Sequence, residues 1–511
     1  VNSDSDGFKI HFDSLGLQLG LALLAGVAMP FAFSPYDQAW LAPLLLALLF
    51  HLWWHTASPR QAFLVGYLFG LGQFLSGVWW IYLSMHFYGG ASPLAAAGLT
   101  LLFNAAWAFF PAFSGLIFRW LVATEAAPWQ QVFAPPTLWM SLEWLRDWVL
   151  NGFPWLQIGY SQSDTPLAGF MPLFGVYGAG WLVVLTAAVF GLLWRARYEA
   201  GRWVGLVVLV WLVGAGLRQI SWTEPAGHPL KVALLQGNID QEMKWRPETR
   251  LEILATYLQM TRQHWGVDLI IWPETAIPAF YNEVREDFLL PLQEEAIQHG
   301  SDLLIGIPEK RPDASYYNAL ISLGKTPGIY YKRHLLPFGE YLPWRGVLGF
   351  VLDLLQIPLG DFNRGGDEQP PLVAAGYPLA ATICYEDTFA RDALLTLPEA
   401  AYIVNVTNDA WFGDTAAPHQ HLQMARMRAL ESGRFLLRAT NTGVTAVIGP
   451  DGTVRSSAAL FVRTALTESF TPMRGTTPYV RWRDWPLGAG LLGVMLLLLW
   501  QGVARGTRDH R

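Results

Sequence analysis

Residues 15–222 are hydrophobic almost without interruption, which one water-soluble domain cannot accommodate. A helix needs about 20 apolar residues to cross the hydrocarbon core of a bilayer. Breaks at Pro, Gly and charged positions divide this block into seven such lengths, at 15–33, 39–56, 61–86, 93–118, 130–150, 167–194 and 203–220. An eighth, 487–504, lies far down the chain, and an even count puts both ends on one side of the membrane. Residues 228–470 between them have the composition of an ordinary soluble domain. The expected organisation is therefore a tail (1–14), a membrane domain of seven transmembrane helices (15–222), a soluble domain (228–470), an eighth transmembrane helix (487–504) and a second tail (505–511). The overall 52% hydrophobic and 14% charged residues average these unlike parts.

Charge sets the orientation. Lys9, Arg60, Arg119, Arg195, Arg197, Arg202, Arg505, Arg508 and Arg511 all fall on the side that holds the termini. The opposite loops, near 34–38, 87–92 and 151–166, contain no Lys or Arg, and Arg218 is a minor exception. Cytoplasmic loops concentrate Lys and Arg, so both termini are expected in the cytoplasm and the soluble domain outside the cytoplasmic membrane. Arg474, Arg481 and Arg483 close a long domain, whose translocation charge hardly affects. A formal charge of −6 gives no sign of nucleic-acid binding. In the fifth span, Glu143, Arg146 and Asp147 fit either a functional site facing the bundle interior or an interfacial pair near the helix end. The 25 Trp, with pairs such as Trp53-Trp54 and Trp79-Trp80 near span ends, fit an interfacial belt.

From Lys231 the apolar runs become short. Segments 231–236, 268–272, 303–307, 318–323, 329–332, 378–383, 401–406, 435–439 and 444–448 read as strands, and 246–264, 287–299 and 419–432 as helices. Such alternation predicts an α/β sheet domain. Residues 346–359, including Leu348 and Phe350, are too short to span a bilayer and very apolar for a soluble loop. Bracketed by Pro343, Pro358 and Gly360, they are read as a membrane-facing lid, with a core helix as the alternative.

Cys384, the only cysteine of 511 residues, ends the apolar run 378–383. A lone cysteine is more often a small buried hydrophobe than a catalyst, but this one has company. Glu274 follows Leu-Ile-Ile-Trp-Pro and Lys332 follows Ile-Tyr-Tyr, so all three groups stand at or just past strand ends. If those strands are neighbours, the groups converge on one edge. A thiol with an ordinary pKa near 8.5 needs a base or a cation to attack at neutral pH. Glu274 could take its proton, and the Lys332 ammonium could stabilise the thiolate and an oxyanion.

These motifs resemble the nitrilase superfamily, whose catalytic Glu, Lys and Cys sit on an α-β-β-α sandwich. The match runs through Trp272-Pro273-Glu274-Thr275, through Tyr331-Lys332-Arg333-His334 onward to Glu340, and through Cys384-Tyr385-Glu386. With the membrane segments included, the chain is similar to the apolipoprotein N-acyltransferase family from about residue 15 to about residue 500. Further landmarks are Phe33-Ser34-Pro35-Tyr36-Asp37, Gly152-Phe153-Pro154-Trp155, Gln236-Gly237-Asn238-Ile239, Asn408-Asp409-Ala410-Trp411-Phe412-Gly413 and Gln423-Met424-Ala425-Arg426-Met427-Arg428.

The resemblance implies an acyl chain taken from a phospholipid, typically phosphatidylethanolamine, onto Cys384. From there it passes to the α-amino group of the N-terminal diacylglyceryl-cysteine of an apolipoprotein. It further implies that Glu340 supports Lys332, that Tyr385 and Glu386 are required beside the nucleophile, and that Trp245 bears on substrate access. Trp411, Leu348 and Phe350 join Trp245 as expected lipid-facing positions, and a monomer working in a lipid bilayer is expected. His419 and His421 have a spacing more often structural than coordinating, and no phosphate-binding glycine loop stands out. Neither metal nor cofactor is expected. The alternatives are a membrane-anchored amidase of the carbon–nitrogen hydrolase type using the same triad, and a transporter carrying an inactive module.

Overall fold

The computed structural model describes residues 14–122, 126–195, 197–342 and 362–509. The proposed lid at 346–359, with Leu348 and Phe350, lies outside the described residues.

Helices occur at all eight expected positions: Leu15–Ala28, Leu41–His55, Pro59–Gly77, Pro93–Trp107 followed by Phe109–Leu121, Pro128–Arg146, Met171–Arg195, Arg197–Leu217 and Trp485–Asp509. Ser58 and Ser92 start two of them by accepting the amides of Gln61 and Ala95, each followed by a proline whose missing N–H costs nothing in a first turn. Their lengths differ from expectation. Among the described residues three helical stretches are long and apolar enough to cross a membrane, Leu15–Ala32, Pro93–Leu121 and Pro166–Trp194. A fourth is added if Pro59–Gly77 and Ile81–Tyr88, bent by 59°, form one span. Leu41–His55, Gly201–Leu217 and Trp485–Gln501 are apolar but shorter. The expected span 130–150 instead ends as a helix at Arg146, holds Pro135 and Pro136 in its interior, and carries buried Glu143 and Arg146.

Those charges tie down a loop. Glu143 accepts the Trp139 indole N–H at 2.9 Å and the Ile158 amide at 3.1 Å; Asp147 accepts from Gln157 Nε2 at 2.7 Å and from the Tyr177 hydroxyl. The buried segment after the helix is thus held at both ends, which a purely interfacial pair would not do. Elsewhere small residues bring helices together. A Cβ on Gly26 would collide with the Phe69 carbonyl, and one on Gly72 with the Leu23 carbonyl, so Leu15–Ala28 and Pro59–Gly77 meet backbone to backbone.

Among the described residues twelve strands build two six-stranded sheets, and Thr223–Pro225 and Met473–Gly475 pair antiparallel as a separate two-stranded one. One runs in the order Thr464–Phe470, Leu230–Gln236, Leu269–Ile271, Asp302–Lys310, Tyr316–Leu323, Gly328–Tyr331. The other runs Val454–Ser457, Ala446–Ile448, Leu436–Thr440, Tyr402–Thr407, Tyr377–Ile383, Leu372–Ala374. Strand side chains alternate between faces, so these continuous apolar runs feed two cores each. Val232, Leu234 and Leu304 meet Leu379, Ile383 and Val404 between the sheets. Ala233, Leu235 and Ile305 face helix Arg250–Arg262 through Ile253 and Tyr257, while Ala380 and Ile403 face helix Ala417–Ser432 through Ala425 and Ala429. This is the expected α-β-β-α sandwich. Of the strands that went unread, Leu372–Ala374, Val454–Ser457 and Thr464–Phe470 lie at edges of the six-stranded sheets, where a short or half-polar strand suffices, and Thr223–Pro225 and Met473–Gly475 make up the two-stranded sheet.

Sandwich and helical part interlock. Tyr160 donates to the Thr388 carbonyl at 3.1 Å, Asn151 Nδ2 to the Leu335 carbonyl at 2.7 Å, the Trp80 indole to Gln420 Oε1 at 3.2 Å, and the Val176 amide to Glu431 Oε1 at 2.9 Å. Replacing Gly26 by Leu should wedge the two helices apart at a cost of about 1–3 kcal/mol or more. Thermal unfolding of the purified protein in detergent checks this; a midpoint equal to wild type would contradict the close approach.

Candidate active site

Glu274, Lys332 and Cys384 come together, by a route other than neighbouring strands. Strands Leu269–Ile271 and Gly328–Tyr331 share a sheet but are separated by Asp302–Lys310 and Tyr316–Leu323, and Cys384 follows a strand of the other sheet. Pairing directions carry the first two strands to the same end, and the sandwich brings the opposite sheet's Tyr377–Ile383 to it.

Lys332 is 1% exposed, with Nζ at 2.9 Å from the Glu340 carboxylate and 3.6 Å from Glu274 Oε1. Burial alone would drive off its proton; Glu340 first, then Glu274, outweigh that and hold its pKa well above the usual value. Asn318 was not singled out from the sequence. Its Nδ2 bridges Glu274 Oε1 at 2.8 Å and Glu340 Oε1 at 3.0 Å, fixing both carboxylates around the one ammonium. The Leu336 amide adds a bond of 2.8 Å to Glu340 Oε2.

Cys384 has φ +52° and opens the 3-10 turn Cys384–Thr388, a left-handed conformation rare for a side-chain-bearing residue. Burial pushes its thiol pKa well up, Glu274 and Asp409 push the same way, and Lys332 and the Thr407 hydroxyl pull down. A thiol raised in this way acts as a nucleophile only where a base can take its proton and a cation can meet the new charge.

Glu386 spans the turns that carry Lys332 and Cys384. Its carboxylate accepts the amides of Ile383 (2.7 Å), Arg333 (2.6 Å) and His334 (3.1 Å) and the Tyr330 hydroxyl (3.0 Å). Burial raises its pKa to about 7 against the pull of Lys332 and the three amides. Tyr385 is buried, donates to the Gly152 carbonyl at 2.7 Å and stacks on Trp155 at 5.9 Å, joining the nucleophile turn to the helical part. Trp245 is 51% exposed on the segment after Gln241–Lys244, and Trp411 is 41% exposed against Tyr88.

Beneath Cys384 lies a dry ionic quartet. His421 Nδ1 and Nε2 lie 2.9 and 2.8 Å from Asp409 and Asp387; Arg438 Nη2 and Nη1 reach the same carboxylates at 3.0 and 2.9 Å. All four side chains are 0–1% exposed. Arg438 also donates to Asn405 Oδ1 at 2.5 Å, whose Nδ2 lies 3.4 Å from the Cys384 carbonyl. The sequence did carry a signal for it, an arginine inside the buried strand Leu436–Thr440. Burial and Arg438 disfavour the imidazolium, yet Asp387 and Asp409 raise the His421 pKa to about 9. Among the described residues no group of three His, Cys, Asp or Glu side chains could hold a metal ion.

Comparison with known proteins agrees with both parts of the chain. Residues 25–189 match the family model of the apolipoprotein N-acyltransferase N-terminal domain, and residues 231–469 that of carbon–nitrogen hydrolases. The apolipoprotein N-acyltransferase of Methylococcus capsulatus is 54% identical over 482 residues, 93% of this chain and 95% of that protein. That of Nitrosomonas europaea is 43% identical over 481 residues, again 93% and 95%. An amidase of known structure from a Nesterenkonia species covers 51% of this chain and 95% of its own, at 18% identity and a TM-score of 0.36.

The quartet sets a pH dependence. A histidine whose pKa is raised on folding contributes stability that is complete below its unfolded value, about 6.5. That contribution is lost as pH rises through its folded pKa of about 9. The thermal midpoint of wild type relative to His421→Gln should therefore narrow between these limits. At neutral pH the substitution, by leaving two buried aspartates short of a cation, should cost about 3–5 kcal/mol. A difference independent of pH would contradict the imidazolium.

Proposed function

The chain belongs to the apolipoprotein N-acyltransferase family, and on that premise we propose that Cys384 relays an acyl chain from a phospholipid to the N-terminal amine of a diacylglyceryl-cysteine on an apolipoprotein. The single observation that carries the assignment of roles is the buried cluster in which one ammonium, Lys332, stands between Glu274 and Glu340 beside the chain's only thiol.

In the first half, Glu274 takes the Sγ proton as sulfur attacks the ester carbonyl of the donor, typically phosphatidylethanolamine. The oxyanion forms against Lys332 Nζ. Its collapse breaks the C–O bond, Glu274 returns the proton to the departing alkoxide, and a lysophospholipid leaves a thioester on Cys384. In the second half the lipoprotein amine attacks the thioester and gives its proton to Glu274. The C–S bond breaks, sulfur recovers the proton, and the product is an amide. Glu340 holds Lys332 in place, Tyr385 and Glu386 hold the nucleophile turn, and Trp245 and Trp411 border the entry for acyl chains. Neither a metal nor a cofactor is needed.

The same reading places the enzyme in the bacterial inner membrane, with helices at 15–222 and 487–504 crossing it eight times. Residues 228–470 are then periplasmic and both termini cytoplasmic. The support is the Lys and Arg asymmetry of the loops and the presence of a helix at each expected position. Every catalytic group comes from one chain, which favours a monomer as the working unit.

The test is mass spectrometry of a lipoprotein N-terminus in cells depleted of their own enzyme and supplied with this chain or its variants. Wild type should restore the N-acyl group. Glu274→Gln should lose about 10²–10⁴ in rate with its fold intact, and Lys332→Met should lose the roughly 2.7–4 kcal/mol that an oxyanion donor supplies. Turnover near wild type in Glu274→Gln would exclude it as the base; release of free fatty acid with no N-acylation would favour the amidase-type alternative. For the topology, a reporter fused after Arg511 should be active in the cytoplasm alone, and periplasmic activity would invert the assignment.

A further inference from the structure

Two asparagines join the segments that carry Trp245 and Trp411. Asn408 and Asn441 each stand one residue beyond a strand of the sheet that leads to Cys384, Tyr402–Thr407 and Leu436–Thr440, which pair in parallel up to Thr407 and Thr440. Both are buried, at 5% and 1% exposed. A side-chain amide carries a donor and an acceptor and so can stand in for a peptide group. The Asn441 side chain does this for Ile239, accepting its N–H at 2.9 Å and donating to its carbonyl at 2.8 Å. The Asn441 carbonyl also accepts the Asn238 amide at 3.0 Å. The chain of amides continues from Asn441 Nδ2 to Asn408 Oδ1 at 3.1 Å, and from Asn408 Nδ2 to Gln241 Oε1 at 2.8 Å.

Residues 238–245 are thus tied down along their length. Asn238, at φ +50°, donates its side chain to the Phe461 carbonyl at 2.9 Å, and Asp240 caps the helix Gln241–Lys244 through the Glu242 amide at 2.8 Å. At the far end Lys244 Nζ meets Thr275 Oγ1 at 2.6 Å and the Glu274 carbonyl at 3.3 Å. The segment is a strap running from the end of the nucleophile's sheet to the turn after Leu269–Ile271. A strap serving water alone would show polar side chains, yet this one presents Met243 and Trp245, 43% and 51% exposed. The turn Asp409–Phe412 follows Asn408 directly and presents Trp411 at the other end of the same amide chain. Exposed apolar side chains on firmly held backbone mark a surface built to meet an apolar partner.

Resting on the reading that Trp245 and Trp411 border the entry for acyl chains, we propose that Asn441 and Asn408 are positioning residues that clip the two sides of this entry together before lipid arrives. Neither touches the reacting atoms. An entry already formed spares the incoming chain the ordering of two loops, which would otherwise be subtracted from its binding.

The full-length protein in detergent micelles, given increasing mole fractions of phosphatidylethanolamine and no acceptor, reports the rate of thioester formation on Cys384 by mass spectrometry. Asn441→Ala and Asn408→Ala should raise the half-saturating lipid fraction about tenfold with the maximal rate within about twofold, since a site formed one tenth of the time loses apparent affinity by that factor. Trp245→Ala should raise it too. Hydrogen exchange should quicken across residues 238–246 in both asparagine variants while the amides of Ile383, Arg333 and His334, held by Glu386, keep their protection. Gln241→Ala removes one bond of the same chain from a half-buried position and should move the half-saturating fraction in the same direction by less, which decides the matter if the buried asparagine variants fail to fold. Unchanged exchange across 238–246, or a fall in maximal rate at an unmoved half-saturating fraction, overturns the inference and leaves acyl transfer standing. An unmoved half-saturating fraction in Trp245→Ala overturns the reading of the entry itself.

Discussion

The Glu386 carboxylate holds the site in one piece. Cys384 follows a strand of one sheet and Lys332 a strand of the other, and backbone amides beside both reach the same side chain. One buried carboxylate accepts from Ile383 beside the first and from Arg333 and His334 beside the second, with the Tyr330 hydroxyl as a fourth donor. The side chain that fixes Cys384 relative to Lys332 is thus a hydrogen-bond acceptor shared between two sheets. Its hydrogen bonds are directional and add to the close packing of the sandwich core in setting that distance. The left-handed Cys384 is tolerable because this carboxylate and the Asn405–Arg438 contact below over-determine the turn.

From that point the structure extends toward the helical part. The turn after Cys384 is bonded to it through Tyr385 and Gly152, through Thr388 and Tyr160, and through Arg391, whose Nη2 reaches the Asp147 carbonyl at 3.1 Å. Asp147 and Glu143 in turn hold the buried loop that supplies the Gly152 carbonyl as an acceptor and the Tyr160 hydroxyl as a donor. The charges in the fifth helix therefore act at a distance, as the footing of the nucleophile turn. The aromatic ring contacts Trp155–Tyr385 and Trp80–Phe412, with centroids 5.9 and 4.8 Å apart, fill the same seam.

Much of this was legible in the sequence because it is written in periodicity. Helices and central strands are long apolar runs, and their positions were read to within a few residues. Glu274, Lys332 and Cys384, the three groups that meet in the cluster, could be picked out because each stands at or just past the end of such a run. Three things were hidden. The helical stretch at 61–86 is bent by 59° and the one at 130–150 ends at Arg146, neither of which hydropathy registers. Edge strands such as Val454–Ser457 bury too little to leave a pattern. Asn318, Lys244 and the quartet of Asp387, Asp409, His421 and Arg438 act through partners far away in sequence, so no local spacing reveals them. Arg438 alone left a trace, as a charge within an apolar strand.

The central claim is that Cys384 carries the acyl group between two substrates. Incubation of the purified protein with phosphatidylethanolamine and no lipoprotein, followed by intact-protein and peptide mass spectrometry, tests it most directly. With no amine to accept the chain and water excluded from an apolar site, the thioester should accumulate on the Cys384 peptide, be released by hydroxylamine, and vanish on addition of a diacylglyceryl-cysteine peptide. Steady release of free fatty acid from a protein that never carries the adduct would contradict it.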